Sequence, residues 1–149
     1  MPFADGAFGL VLCVDALLHL KDRFAAIRDR ARVLRPGGRL LFAAVLTGLA
    51  STEELSARSS QGAFLLAPPG LNEAALEAAG LALLSREDRT PVEAAIAARL
   101  SQARERRSAV LRVSEGDAFF ERRQAFLSVT GELAASGRLS RFVYLAEKP

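Results

Sequence analysis

His19 is the single histidine of the chain, and it follows closely on Cys13, Val14 and Asp15. An imidazole titrates near neutral pH, so a histidine at the mouth of a site can take a proton from an attacking nitrogen or oxygen. Cys13 is the only cysteine. One thiol and one imidazole exclude an internal disulfide and a cysteine- or histidine-rich metal cluster, so no metal site is expected. Asp88 and Thr90 stand just before Pro91, where a carboxylate or hydroxyl either contacts a ligand or caps a helix. Phe119 and Phe120 form an aromatic pair near Arg99, Arg104, Arg106, Arg107, Arg112, Arg122 and Arg123. Glu105 and Glu121 are interleaved with those arginines, so a solvated face accounts for them. Asp29 and Arg32 are spaced to pair on one helix.

Holding these groups together calls for alternating strands and helices. Leu10-Val11-Leu12-Cys13-Val14 is unbroken by polar residues, the pattern of a strand buried on both faces. Phe3 and Phe8 are expected in the core beside it. Leu20, Phe24, Ile27, Ala31 and Leu34 recur at helical spacing, with Lys21 or Asp22 at the start and Pro36-Gly37-Gly38 as the stop. A second buried strand runs from Arg39 through Val45, which makes a βαβ unit with parallel strands. The Ser-, Gly- and Pro-rich stretch from Thr47 to Pro69 has room for a short helix over Thr52 to Arg58. Asn72 is expected to cap a helix from Glu73 to Ala79 that Gly80 ends. Leu81 to Arg86 reads as the third strand, and one long helix as running from Pro91 to about Val113. A further helix covers about Ala118 to Ala135, and Arg141 to Glu147 is the last strand. The class is α/β.

Composition narrows the function classes. A chain of 149 residues, half apolar and a quarter charged, is one domain's worth of ordinary globular sequence. Its longest apolar run, Leu40 to Leu46, is far below the ~20 residues of a membrane span. With no signal-like segment, the expectation is a reduced, cytoplasmic protein with no membrane partner. The net charge of +3 comes almost wholly from arginine, which pairs well with phosphate. Nucleic-acid binding through the arginine-rich helices still ranks third, because acids interleave the arginines and there is one tyrosine and no tryptophan.

Four segments, in order and spacing, resemble the middle of a class I S-adenosylmethionine-dependent methyltransferase. They are Pro2-Phe3-Ala4-Asp5-Gly6-Ala7-Phe8, the strand to Cys13-Val14-Asp15, Leu18-His19-Leu20, and Arg32-Val33-Leu34-Arg35-Pro36-Gly37-Gly38-Arg39-Leu40. The resemblance implies the C-terminal half of a Rossmann-like sheet, strands four to seven, with a two-helix insert before the last strand. On it, 1–149 is a single partial domain and 91–136 a helical cap. The family's Gly-rich cofactor loop has no counterpart here, and Gly9 stands where the family usually has Asp.

The implied activity is methyl transfer from S-adenosylmethionine to a small molecule. Cys13, Val14 and Asp15 would lie beside the cofactor, His19 would be the base, and Asp88, Phe119 and Phe120 would face the acceptor. Without the loop, weak cofactor binding by a truncated chain is expected. The rival reading is a non-catalytic module that pairs through its first strand's edge, as a homodimer or with a companion chain.

Overall fold

The computed structural model describes residues 1–48, 50–59 and 64–149. Its four strands are β1 (Phe8–Cys13), β2 (Leu34–Thr47), β3 (Ala82–Asp88) and β4 (Leu139–Glu147). Its six α-helices are α1 (Arg23–Val33), α2 (Thr52–Ser59), α3 (Leu71–Ala78), α4 (Thr90–Glu105), α5 (Ser108–Glu115) and α6 (Asp117–Ala135). The strands form one sheet in the order β1-β2-β4-β3. β1 and β2 are parallel, as a βαβ unit requires, and β4 runs antiparallel to β3. The sheet is mixed and the class α/β.

Two compact units divide the chain: Met1–Leu46 with Phe64–Asp88 and Arg141–Pro149, and Thr47–Ala63 with Arg89–Ser140. The first holds the sheet and α1 and α3. Its core gathers Ile27 and Ala31 of α1, Leu40, Phe42 and Ala44 of β2, Ala75 and Leu76 of α3, and Tyr144 and Ala146 of β4. Alternation along β2 and β4 sends one set of side chains to these helices. The second unit is helical, with α6 packed along α4 and against α2 and α5.

Local chemistry sets the ends of α1. The Asp22 carboxylate accepts the Ala25 amide at 2.8 Å, a side-chain N-cap. Beyond Val33 the backbone turns extended, and Lys148 Nζ donates to the carbonyls of Ala31 and Leu34 at the helix end. Register with β1 then jumps from Phe8/Leu34 to Leu10/Arg39, so the Pro36-Gly37-Gly38 stretch of β2 bulges away from β1 while Gly37 and Gly38 exchange backbone hydrogen bonds with Lys148 at 2.7 and 2.9 Å. Gly38 is required there, since a Cβ would sit 2.8 Å from the Arg35 carbonyl oxygen and 3.1 Å from that of Phe8. Asp29 and Arg32 pair as their spacing predicts, and Arg32 also reaches Asp5 at 2.5 Å. The chain's amino group joins Asp29, and that hydrogen bond, with the one from Arg32, lowers the Asp29 pKa.

The structure corrects five sequence expectations. β1 is buried on one face only: it is an edge strand, and Leu10, Leu12 and Val14 are 54%, 63% and 58% exposed. Phe3 stacks edge-on against Phe8 at 5.0 Å but is half exposed rather than in the core. Leu20 lies in the extended link before α1 rather than on its face, and both Leu20 and Phe24 are exposed. Asn72 is not a cap: Gly70, at φ +86°, holds that position, and Asn72 is drawn into the core by Arg23. The long helix from Pro91 breaks after Glu105. There Arg106 and Arg107 close tight turns onto Gln102 and Arg104, and Arg104 reaches Glu115 to fold α5 back.

Gly9 leads to a stability prediction. A Cβ there would meet only the guanidinium of Arg35, 3.0 Å from Nη2, and Arg35 is a flexible side chain that can give way. Gly9→Asp puts a carboxylate against that guanidinium and removes a strand glycine. The gain expected is ~1 kcal/mol, from an exposed ion pair and reduced unfolded-chain entropy. A denaturant midpoint that does not rise would contradict this placement of Arg35.

Candidate functional site

Ligands in doubly wound sheets sit at the carboxyl ends of the parallel strands. In the sheet unit that edge begins at Cys13-Val14-Asp15. Cys13 points inward and is buried, Val14 is exposed, and Asp15 takes a left-handed backbone at φ +52°. That conformation is uncommon for a residue with a Cβ, and Asp tolerates it better than most. It turns the chain off the sheet into the short helical turn Leu17–His19.

The Asp15 carboxylate accepts from Arg141 at 2.8 Å, across 126 positions of sequence. Arg141 lies at the start of β4, and antiparallel register pairs the next residue, Phe142, with Asp88 at the end of β3. Asp15, Arg141 and Asp88 therefore share one end of the sheet. Arg141 was not singled out in the sequence. The available signal was topological: an antiparallel last strand begins where its parallel neighbours end.

His19 closes the turn after Asp15, and its ring meets Phe64 at 5.4 Å between centroids. Phe64 opens a segment bonded to the same turn, for Leu65 donates its amide to the Leu18 carbonyl at 2.7 Å. Arg23, in the first turn of α1, clamps that segment. Its Nη2 donates to the Leu65 carbonyl at 2.9 Å and its Nη1 to Asn72 Oδ1 at 3.0 Å. Burial pushes the Arg23 pKa down, while Tyr144 and Cys13 pull it back up. Nearby, Glu73 accepts from Arg86 at 2.9 Å and more loosely from the Tyr144 hydroxyl at 3.4 Å. Burial raises the Tyr144 pKa, with the neighbouring Asn72 side chain opposing it.

The helical unit carries the other two predicted residues. Phe120 is buried, with the guanidinium of Arg112 4.3 Å from its ring centre and that of Arg104 at 5.1 Å. Phe119 is exposed beside Arg122. Helix α4 starts with Arg89 in the N-cap position and Thr90 buried in its first turn.

The strand end presents an exposed Val14, a carboxylate oriented by Arg141, and the His19–Phe64 rings. A glycine cradle does not accompany it. Among the described residues, the glycines in the left-handed region stand at turns or helix ends (Gly6, Gly70, Gly80, Gly116 and Gly137) or in the irregular start of β2 (Gly37). Among the described residues no group of three or more metal-ligating side chains gathers.

A profile of the methyltransferase domain matches residues 1–42. The 27-O-demethylrifamycin SV methyltransferase of Amycolatopsis mediterranei is 36% identical over 93 residues, 59% of this chain and 34% of that protein. Methyltransferase GfsG of Streptomyces halstedii is 41% identical over 46 residues, 31% of this chain and 16% of that protein. The chain thus spans about a third or less of the length of these curated relatives. Phosphoethanolamine N-methyltransferase 2 of Haemonchus contortus, solved with S-adenosyl-L-methionine, superposes with a TM-score of 0.88 at 20% identity. The match covers 99% of this chain and 34% of that one. Mycolic acid cyclopropane synthase CmaA1 superposes with a TM-score of 0.87 at 17% identity, over 97% of this chain and 56% of that one.

Proposed function

We propose that this chain, a member of the class I S-adenosylmethionine-dependent methyltransferases by its fold and its first 42 residues, serves methyl transfer to a small molecule. The observation that carries the reading is the pairing of Asp15 with Arg141 at the end of the sheet that Asp88 shares. S-adenosylmethionine, when bound, supplies a methyl group activated on a sulfonium centre. The chain's own part is to position. The backbone of Cys13 to Asp15 borders the donor, with Asp15 held in place by Arg141. His19, steadied by Phe64, takes the proton that an acceptor hydroxyl or amine releases on attack. Asp88, Phe119 and Phe120 are the residues proposed to recognise the acceptor.

Amide shifts in a titration with S-adenosylhomocysteine test this reading. Weak binding is expected, because the described residues contain no glycine cradle, with perturbations centred on Cys13 to His19. No perturbation at millimolar ligand, or perturbation confined to other strands, would remove the strand edge from the site.

A second reading rests on the exposed β1 edge. From Ala7 to Val14 it carries no charge and no proline, the devices that keep edge strands from pairing. A strand from a second copy or a companion chain would cover it. Light scattering is expected to give about twice the chain mass at high concentration, and a monomer throughout would exclude self-pairing.

A further inference from the structure

We propose that the outer faces of α4 and α5 form a surface for anionic lipid, on which these helices lie at the headgroup level of a bilayer. Helix α4 gives one side to α6, burying Ala97. Its other side shows Val92, Ile96 and Leu100, one per turn and all exposed. On α5, Val110 and Val113 stand three apart and are 70% and 89% exposed. Single exposed aliphatics are ordinary, but five in two helical stripes mark an interaction surface.

Charge identifies the partner. Glu115 pairs with Arg104, and Asp117 and Glu121 with Arg112, while Glu105 accepts from Gln124; from Thr90 to Glu115 five arginines stand against three acids, Glu93, Glu105 and Glu115. Arg99, Arg106 and Arg107 have no ion-pair partner among the described residues. They adjoin the apolar stripes. Arg99, Gln102 and Arg106 line a shallow groove of about 410 Å³ together with Ile96, Leu100 and Ala103, and Arg107 precedes Val110 by one turn. Unpaired guanidiniums beside protruding aliphatics complement a layer of phosphates over acyl chains. Nucleic acid would meet the arginines but leave the five aliphatic side chains in water.

The sequence expectation of no membrane partner rested on spanning length. No described helix is long and apolar enough to span. A helix lying in the interface needs only an apolar face, and that face becomes visible once α6 has claimed the side around Ala97.

The test is co-sedimentation of the full chain with vesicles of phosphatidylcholine alone or mixed with phosphatidylglycerol. Partition onto the anionic vesicles is expected to be at least about tenfold stronger and to fall with added salt. Arg99→Gln/Arg106→Gln/Arg107→Gln should weaken it by tenfold or more, given the contribution of each basic residue near such a surface. Val110→Ser/Val113→Ser should weaken it with every charge intact. All five side chains are exposed, and circular dichroism confirms that each variant folds. The proposal is overturned by no partition, by equal partition onto neutral vesicles, or by partition that neither variant reduces. Retention on duplex DNA or on an acidic protein without vesicle binding also overturns it.

Discussion

Arg23→Met is expected to cost about 3 kcal/mol, with a melting temperature lower by ~10 °C. Arg23 is a cation with almost no exposed surface, and both of its hydrogen-bond partners are neutral. Methionine keeps much of the aliphatic stem and removes the donors. Asn72 Oδ1, fully buried, and the Leu65 carbonyl would then be left without them, and each orphaned acceptor costs ~1–3 kcal/mol. The consequence reaches the candidate site. The clamp is what holds the Phe64–Leu65 segment to the Leu18–His19 turn, so the Leu65 amide should lose protection from hydrogen exchange before the strands do. A double variant, Arg23→Met with Asn72→Leu, should recover part of the loss, because it removes acceptor and donor together. An unchanged melting temperature with Leu65 still protected would show that the clamp carries none of this stability.

The sequence alone located most elements, and the reasons are visible in individual residues. Asp22 could be read as the start of α1 because a short carboxylate before an apolar period has one efficient use, capping. Gly80 could be read as a stop for α3, and its amide does close onto the Glu77 carbonyl at 2.9 Å. Misreadings arose where one residue had competing uses. Asn72 is as good a cap as any, yet its amide is the partner a buried Arg23 needs, and that need is set 49 positions away. The stretch from Pro91 to Val113 has helical propensity throughout. Arg104 reaching Glu115, together with the packing of α5 on α6, accompanies the break at Arg106–Arg107.

The candidate site was legible by halves. Residues at the end of β1 could be placed because strand ends follow from apolar runs. Arg141 was reachable only through topology, since its place depends on β4 running antiparallel to β3, a direction not written in the residue types of either strand. The β1 edge shows the same limit from the other side. Leu10, Leu12 and Val14 look like core residues because nothing in an apolar run states whether a neighbour is present. The same ambiguity hid Val110 and Val113 on α5.

The largest single effect is expected at Phe42. Its ring is fully buried in β2 and stacked on Tyr144 of β4, with centroids 4.7 Å apart and planes 5° from parallel. Tyr144 is itself fully buried, so the pair joins two strands to the α1 and α3 helices through one contact. Phe42→Ala removes the ring from water-free surroundings and leaves a cavity that neighbouring leucines cannot close, at ~3–5 kcal/mol. That is a large fraction of the ~5–15 kcal/mol that stabilises a typical domain. Tyr144→Phe isolates the hydroxyl: its bond to Glu73 is long, at 3.4 Å, so its loss should cost less than ~1 kcal/mol. Tyr144 is the only tyrosine and the chain has no tryptophan, so intrinsic fluorescence reports this core directly. In urea, Phe42→Ala should lower the fluorescence midpoint by ~2 M. Far-UV circular dichroism follows Tyr144→Phe, which removes the only tyrosine, and a Phe42→Ala shift by the same probe as small as that of Tyr144→Phe would mean that the stacked pair is not what ties β2 to β4.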